Sequence, residues 1–345
     1  MADVRLYATS EAAAWETYLQ GRPEATVFHR LAWSEAVVAA YGHQPLHVTA
    51  WSGGRLAGVL PLFEVRSLFV GRVLVSVPYA TYGGIVADDP ATTAELAEFA
   101  KGLCRDRRAN YVELRHRESV GLDLPIIDKY DTFRKQLPTE AAQVLEGLPR
   151  KTRTAVRKGL KELGDDAAKF GSEWLDTVYD LYAITLRRLG SPNYRRRLFH
   201  ELARTYGDDC VSMVVMDEGR PVAGVTSFVF RDEIVPYFSG SVAGGMAKRA
   251  NNVMYLRLME YAVRRGLRWF DFNRTRRDNA GPYDFKRHMG FEPTPLAYQI
   301  HLGQGAKMPN LSPSNAKFRL AGRLWQKLPL WLTRLAGERI TKWIP

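Results

Sequence analysis

Apolar and polar residues alternate along this chain in two places that share a rhythm. Residues 53–64 read GGRLAGVLPLFE and residues 218–229 read EGRPVAGVTSFV. Each has Gly-Arg, then Ala-Gly-Val, then an alternating apolar run. A period of two marks half-buried strands, and glycine supplies the positive φ of a tight turn between antiparallel partners. Downstream, Pro78-Tyr79 with Gly83-Gly84 has a counterpart in Pro236-Tyr237 with Gly240. The period then changes. Over 93–107 and 252–265 the apolar positions recur at helical spacing, which predicts a helix in each place. Each helix leads into a strand with an acid between apolar neighbours, Tyr111-Val-Glu-Leu-Arg and Trp269-Phe-Asp-Phe-Asn, so Glu113 and Asp271 correspond. One order of strand, hairpin, helix and strand, repeated about 160 residues apart, predicts a duplicated mixed α/β domain rather than one long fold.

After Phe272 the second copy continues into a polar, Arg-rich, Gly-Pro loop. A short helix carrying Phe285 and Lys286 follows, then Gly290 and a strand over 296–302. The loop gathers Asn273, Arg274, Tyr283 and Lys286 near a strand end, where α/β proteins tend to place ligands. Tyr237 and Asn252, from the preceding strand and helix, complete the candidate substrate contacts. Asp271 and Glu292 are candidate proton acceptors.

Charge alters this picture in two segments. The chain of 345 residues carries a net charge of +12, which favours polyanionic partners. Residues 150–161 read RKTRTAVRKGLK, and Arg150, Arg153, Arg157 and Lys161 recur at steps that line one helix face. A solvated charged face and a phosphate- or RNA-binding face both fit. Arg187, Arg188 and Arg195 to Arg197 add further candidates for holding phosphates. From 317 to 345 seven basic residues stand against Glu338 alone, interleaved with Trp and Leu. Pro329 is expected to break this tail into two amphipathic helices. Such a composition suits either packing on the domain body or contact with an anionic membrane surface.

Several classes are excluded or disfavoured. There is no P-loop, no Gly-x-Ser-x-Gly and no His-Glu-x-x-His, and the seven histidines lack zinc spacing; no metal is expected. Cys104 and Cys210 form no Cys-x-x-Cys and suit a reducing cytoplasm. No signal peptide or spanning segment is apparent, so the expectation is a cytoplasmic protein, peripheral at the inner membrane face if the tail binds lipid.

The run Phe270-Asp-Phe-Asn-Arg-Thr275, then Gly281-Pro-Tyr-Asp-Phe-Lys286, Gly290-Phe-Glu-Pro293 and Pro295-Leu296 resembles the FemAB-like family of aminoacyl and acyl transferases, within the GCN5-related acetyltransferase superfamily. Thr26-Val-Phe-His-Arg-Leu-Ala-Trp33, Tyr82-Gly-Gly84 and Glu113-Leu-Arg115 extend the resemblance over nearly the whole chain. Arg188-Leu-Gly-Ser-Pro192 and Val235-Pro-Tyr-Phe-Ser-Gly240 are similar to the branch associated with exosortase/PEP-CTERM and exopolysaccharide systems. Members of that branch usually carry Gly where this chain has Asn273.

The resemblance implies tandem duplicated acetyltransferase-like domains, here expected over 1–145 and 146–310, with the tail over 311–345. It implies transfer of an aminoacyl or acyl group to form an amide on a cell-envelope precursor or polysaccharide. The implied donor is an aminoacyl-tRNA, and the acceptor a phosphate-linked saccharide or peptidoglycan-type molecule. Lys286 and Phe285 match the family's catalytic pair. Arg274, Tyr283, Asn252, Tyr237, Arg153, Arg157, Arg187 and Arg188 are the expected substrate contacts. Superfamily members that use acetyl-CoA cradle its pyrophosphate in a Gly-rich loop opening a helix. The corresponding Ala247 to Val253 has no glycine, and Ala87 to Ala91 is acidic, so no cofactor is expected. A CoA- or carrier-protein-dependent N/O-acyltransferase of exopolysaccharide synthesis is the alternative. A non-catalytic RNA- or assembly-binding protein on this fold is a second.

Overall fold

Both Gly-Arg repeats fold as the tight turns their sequences predict. In the first, Gly53 and Gly54 lie at φ +55° and +78°, joining strands Val48–Ser52 and Arg55–Leu60. In the second, Glu218 and Gly219 lie at +50° and +77°, joining strands Cys210–Asp217 and Arg220–Phe230. Two successive residues at positive φ match the right-handed twist of the strands they connect. The computed structural model describes residues 2–308 and 316–344. It divides into two units, one of Met1–Tyr130, Pro295–Leu311 and Lys342–Pro345, the other of Asp131–Thr294 and Ser312–Thr341.

In the first unit a four-stranded antiparallel sheet contains Asp3–Leu6, Val48–Ser52, Arg55–Leu60 and Val86–Ala87, in that order. A second sheet runs Ala297–Leu302, Tyr111–His116, Gly71–Val75, Phe63–Ser67 and Gln44–Pro45. Its Gly71–Val75 and Tyr111–His116 pair is parallel, as a helical crossover requires. That crossover is helix Pro90–Asp106, which starts three residues before the apolar periodicity does. Asp89 accepts from the Thr92 amide at 2.8 Å and Pro90 takes the first helical position, a start signal independent of periodicity. Leu96, Ala97, Ala100 and Leu103 of this helix are buried with Val48, Leu60, Leu74 and Val112.

The second unit repeats the order around one eight-stranded sheet. Its path is Ala168–Phe170, Cys210–Asp217, Arg220–Phe230, Glu233–Ser241, Trp269–Asp271, Tyr130–Gln136 and Thr275–Arg276, with Pro293–Pro295 beside Tyr130–Gln136. Helix Ala250–Arg264 makes the crossover to the parallel strand Trp269–Asp271. Val253, Leu256, Met259 and Ala262 are buried with Val225, Ile234 and Phe270. Helix Leu175–Leu189 packs on the strands as well, where Gly240 lies against the Leu181 backbone so closely that a Cβ would come within 2.2 Å of it.

The unit boundaries differ from the expected divisions near 145 and 310. Tyr130–Gln136 is a strand of the second unit, antiparallel to Trp269–Asp271, and its sequence YDTFRKQ carries no apolar alternation to announce it. Ala297–Leu302 pairs with Tyr111–His116 in the first unit. Strand pairing of this range joins residues far apart in sequence, which local periodicity does not register.

The tail forms helices Ala316–Lys327 and Leu330–Ile340, broken at Pro329 as expected. Both pack on helix Leu175–Leu189 of the second unit. Gly190 and Gly322 meet backbone to backbone, and Gly337 lies where a Cβ would strike Asn193. No helix among the described residues is long and apolar enough to cross a membrane.

Candidate functional site

Strand Trp269–Asp271 ends inside the second unit's sheet, between a parallel and an antiparallel neighbour. Phe270 and Phe272 are buried, and Phe272 meets Tyr255 and Phe291 edge-on at 4.7 and 4.6 Å. The chain then bends sharply at Asn273, whose φ is +61°. Asparagine and glycine tolerate this left-handed conformation best, which explains why either suits the position. The Asn273 amide donates to Asp271 Oδ1 at 2.7 Å, and Asn273 Nδ2 donates to the Pro236 carbonyl at 3.0 Å. Asn273 Oδ1 is buried without a hydrogen-bond partner. Asp271 is fully buried, and Thr132 Oγ1 donates to it at 3.4 Å.

Lys286 closes this turn from helix Ala280–His288. Its Nζ donates to the carbonyls of Phe272 at 2.6 Å, Asn273 at 2.8 Å and Arg274 at 3.4 Å. The rings of Phe133 and Phe272 lie 5.2 and 5.9 Å from the ammonium. Burial pulls the Lys286 pKa down to about 7, against the opposing attraction of Asp271. Lys286 thus organises the backbone around Asn273. Phe285, its half-buried neighbour, faces Tyr255 at 5.6 Å and Phe272 at 6.4 Å and anchors the helix.

Tyr283, one turn earlier, donates its hydroxyl to Asp131 Oδ2 at 2.6 Å, while Arg277 Nε donates to Asp131 Oδ1 at 2.7 Å. The hydrogen bond to Asp131 pushes the Tyr283 phenol upward. Tyr283 also packs edge-on against Phe133 at 5.0 Å, so the Tyr283 and Lys286 groups share one aromatic floor. Arg274 is half-buried on the turn itself. Asn252 reaches Met289 Sδ at 3.8 Å, and the Met289 amide donates to the Phe285 carbonyl. Tyr237 is the extra residue of a β-bulge, because Thr226 pairs with Phe238 and Ser227 with Pro236. A bulge re-aims side chains, and Pro236 accommodates it because proline has no amide to pair.

The arginines lie elsewhere in the unit, each in defined contacts. On helix Arg150–Leu163, Arg153 and Arg157 hold the two oxygens of Glu146 at 2.8 and 2.7 Å. Thr152 on that helix donates to the His288 carbonyl, tying it to the end of the Lys286 helix. Arg187 donates to the Leu328 carbonyl at 2.7 Å, and Arg188 to the Ser241 carbonyl at 3.3 Å. Those two contact the tail and a strand end, so the structure gives them packing roles that the phosphate-binding expectation did not foresee. Glu292 is exposed. Asp131, Thr132, Arg277 and Glu146 are polar partners that motif reading missed. For Asp131 the strand sequence YDTFRKQ gave no periodic signal.

Does the loop before helix Ala250–Arg264 suit a pyrophosphate? A short helix, Ala243–Ala247, immediately precedes it. The amides of Lys248 and Arg249 donate to Gly244 and Met246, and those of Asn252 and Val253 both donate to the Arg249 carbonyl. Lys248 Nζ is paired with Asp217 at 2.8 Å. Gly159 of the basic helix packs so near that a Cβ would be 3.2 Å from the Lys248 carbonyl and 2.8 Å from Val253. In the first unit the Asp89 carboxylate caps the corresponding helix. Four amides at the start of helix Ala250–Arg264 are therefore directed to the chain's own carbonyls rather than left in the open cradle that binds a pyrophosphate. Among the described residues, no group of three metal-ligating side chains comes together.

Residues 150–287 match the family model described as the acetyltransferase (GNAT) domain. No curated protein matches the chain by sequence. Among solved structures, FemX is similar with a TM-score of 0.65 at 13% identity, covering 87% of this chain and 97% of FemX. The C-terminal domain of a putative lysylphosphatidylglycerol synthetase from Agrobacterium fabrum aligns at TM-score 0.53 and 11% identity, over 86% and 92% of the two chains. A tandem GNAT protein from the clavulanic acid biosynthesis pathway aligns at 0.56 and 12%, over 89% and 100%. Residues 150–287 thus match a GNAT acetyltransferase domain, and the chain shares its fold with FemX and a tandem GNAT protein.

Proposed function

We propose that this protein transfers an aminoacyl group from an aminoacyl-tRNA to an amine on a phosphate-linked saccharide or peptidoglycan-type precursor of the cell envelope, forming an amide. The observation that carries the choice of donor is the GNAT unit's phosphate loop, where the amides of Lys248, Arg249, Asn252 and Val253 donate within the chain and Gly159 packs against Lys248 and Val253. FemX and the putative lysylphosphatidylglycerol synthetase among the structural neighbours support an aminoacyl donor and an envelope acceptor.

An aminoacyl ester is already activated. The acceptor nitrogen adds to its carbonyl, the carbon–oxygen bond breaks, and the released ribose hydroxyl takes up a proton as the amine loses one. The protein's tasks are alignment, stabilisation of the oxyanion and passage of that proton. Lys286 supplies positive charge beside the Asn273 turn, and its pKa of about 7 suits it to proton exchange at neutral pH. Phe285 fixes the lysine's helix. Tyr283, Arg274, Tyr237 and Asn252 surround the turn as substrate contacts, and Arg153 and Arg157 exchange Glu146 for substrate phosphate.

The reading is tested by supplying purified protein with an envelope extract and either charged tRNA or acyl-CoA. Mass spectrometry should show products heavier by an amino-acid residue, lost when the tRNA is digested with ribonuclease. Transfer from acyl-CoA that survives ribonuclease would overturn the donor assignment in favour of a CoA-dependent acyltransferase. No transfer from any donor, with envelope glycans identical in cells with and without the gene, would favour a non-catalytic protein.

A further inference from the structure

The tail was open to two readings from its composition, packing on the body or lying on a membrane. The structure separates its two sides. On the inner side, Thr333 and Gly337 are buried, and Tyr179 donates its hydroxyl to Glu338 at 2.8 Å. Arg195 Nε donates to the Glu338 carbonyl at 2.9 Å, and Arg334 pairs with Asp180 at 2.9 Å. Gln326 reaches the Arg188 carbonyl at 3.0 Å. These contacts fix both helices to the second unit without engaging their outer stripe.

That stripe is apolar. Leu320 and Leu324 are 61% and 58% exposed, one turn apart on the first helix; Trp331 and Leu335 are 67% and 49% exposed, one turn apart on the second. Scattered exposed leucines are ordinary on a protein surface, but large apolar pairs one turn apart on each of two consecutive helices mark an interaction site. Around them stand Arg323 and Lys327, three residues after the two leucines, and Arg339, four residues after Leu335; all three are exposed. Glu338, the sole acid between 317 and 345, is held on the inner side. The outer stripe therefore carries cations and no anion among its described side chains.

We propose that this stripe docks the protein on an anionic lipid bilayer, with Trp331, Leu320, Leu324 and Leu335 entering the headgroup boundary and Arg323, Lys327 and Arg339 meeting lipid phosphates. Charge complementarity selects the occupant. A protein partner with an apolar groove would be met by apolar burial alone, whereas three cations rimming Trp and Leu match an anionic interface. The helices are too short to span and lie along the surface. This inference is independent of which acyl group is transferred, and it places the enzyme where lipid-linked or membrane-proximal acceptors are presented.

The test uses the full chain and sedimentation with vesicles of phosphatidylcholine, with or without about one-third phosphatidylglycerol. Binding is expected to the anionic vesicles, with a blue shift in tryptophan emission that Trp331→Phe abolishes. It should weaken as salt rises, because the charge contribution is screened. The pair Leu324→Glu with Trp331→Glu should abolish binding, and Arg323→Gln, Lys327→Gln and Arg339→Gln together should weaken it on the order of 100-fold. All these positions are exposed, so unchanged melting temperatures are expected to certify the fold. Should the Glu pair fail to fold, the Gln triple variant carries the test alone. Equal binding to neutral and anionic vesicles, no binding at all, or a wild-type dimer that the Glu pair dissociates would each overturn the proposal. The last result would assign the stripe to a second copy of the chain.

Discussion

The two units end their corresponding strands in different ways. In the first, the acid is Glu113 and the residue two further on is Arg115. Arg115 is buried, pairs with Glu113 at 2.7 Å, and reaches the carbonyls of Val77 and Ala80 at 3.3 and 3.2 Å. That contact braces a loop in which Val77 and Tyr79 both sit at positive φ, an uncommon conformation for a β-branched residue. In the second unit the acid is Asp271, and two residues on is Asn273. Its side chain reaches one distant carbonyl, that of Pro236, while the chain bends into the left-handed region and a cation arrives from another element, Lys286. After Arg115 and His116 the first unit runs on through 117–129 with no helix; after Asn273 the second unit inserts one, carrying Tyr283, Phe285 and Lys286. Duplication preserved the strand and its acid. The helix present only in the second copy brings Tyr283 and Lys286 to the strand end.

If the comparison is right, the cation of the second unit governs chemistry and that of the first governs stability. Lys286→Met is expected to lower transfer on the order of 100-fold or more while the protein still folds, as measured by product formation on protein with native circular dichroism. Activity within a few-fold of wild type would sink the site assignment. A pH effect accompanies it. The folded-state pKa of about 7 lies below the ordinary lysine value of 10.5, so the folded protein binds fewer protons than the unfolded chain between these values. The stability linked to Lys286 is therefore present above about 10.5 and lost as pH falls through about 7. Melting temperatures of wild type and Lys286→Met should diverge in wild type's favour as pH rises across that window. If Lys286 acts as a cation, turnover should in turn decline as pH rises through about 7, and this limb should move upward in Lys286→Arg.

Arg115→Ala should show the opposite profile. Removing one partner of a buried ion pair costs about 3–5 kcal/mol, so chemical denaturation should reveal a large loss of stability. The fraction that remains folded should keep a turnover number within a few-fold of wild type. A selective loss of turnover would mean that the first unit contributes directly to chemistry.

Asn273 sharpens the contrast at intermediate magnitude. Asn273→Ala should destabilise by about 1–3 kcal/mol, combining left-handed strain with loss of the hydrogen bond to Pro236. Asn273→Gly should be milder because glycine accepts the bend. If the two variants unfold at the same denaturant concentration, the bend is not what the position demands. The smallest effects belong to the basic helix. Arg153→Ala and Arg157→Ala face solvent-exposed Glu146 and should change stability by less than about 1 kcal/mol, with any activity loss appearing as a raised KM. A fall in kcat at unchanged KM would remove them from phosphate binding.

What the sequence alone determined was local and repeated. Hairpin turns, helix spans and the acid-bearing strands were legible because backbone propensity and hydrophobic period act within about a dozen residues. The Pro329 break and the helix of Lys286 were legible for the same reason. The family resemblance pointed to Phe285-Lys286 but not to what the lysine touches. Tertiary structure decided the rest. It assigned Tyr130–Gln136 to one unit and Ala297–Leu302 to the other, since strand partners are chosen by burial across long separations. It brought Asp131 to Tyr283 and Arg277, 152 and 146 residues away. It turned Arg187 and Arg188 toward backbone carbonyls, and it split the amphipathic tail into a packed side and an exposed one. Each of these outcomes depends on which surfaces exclude water together. That is a property of the assembled chain, which no local window of residues contains.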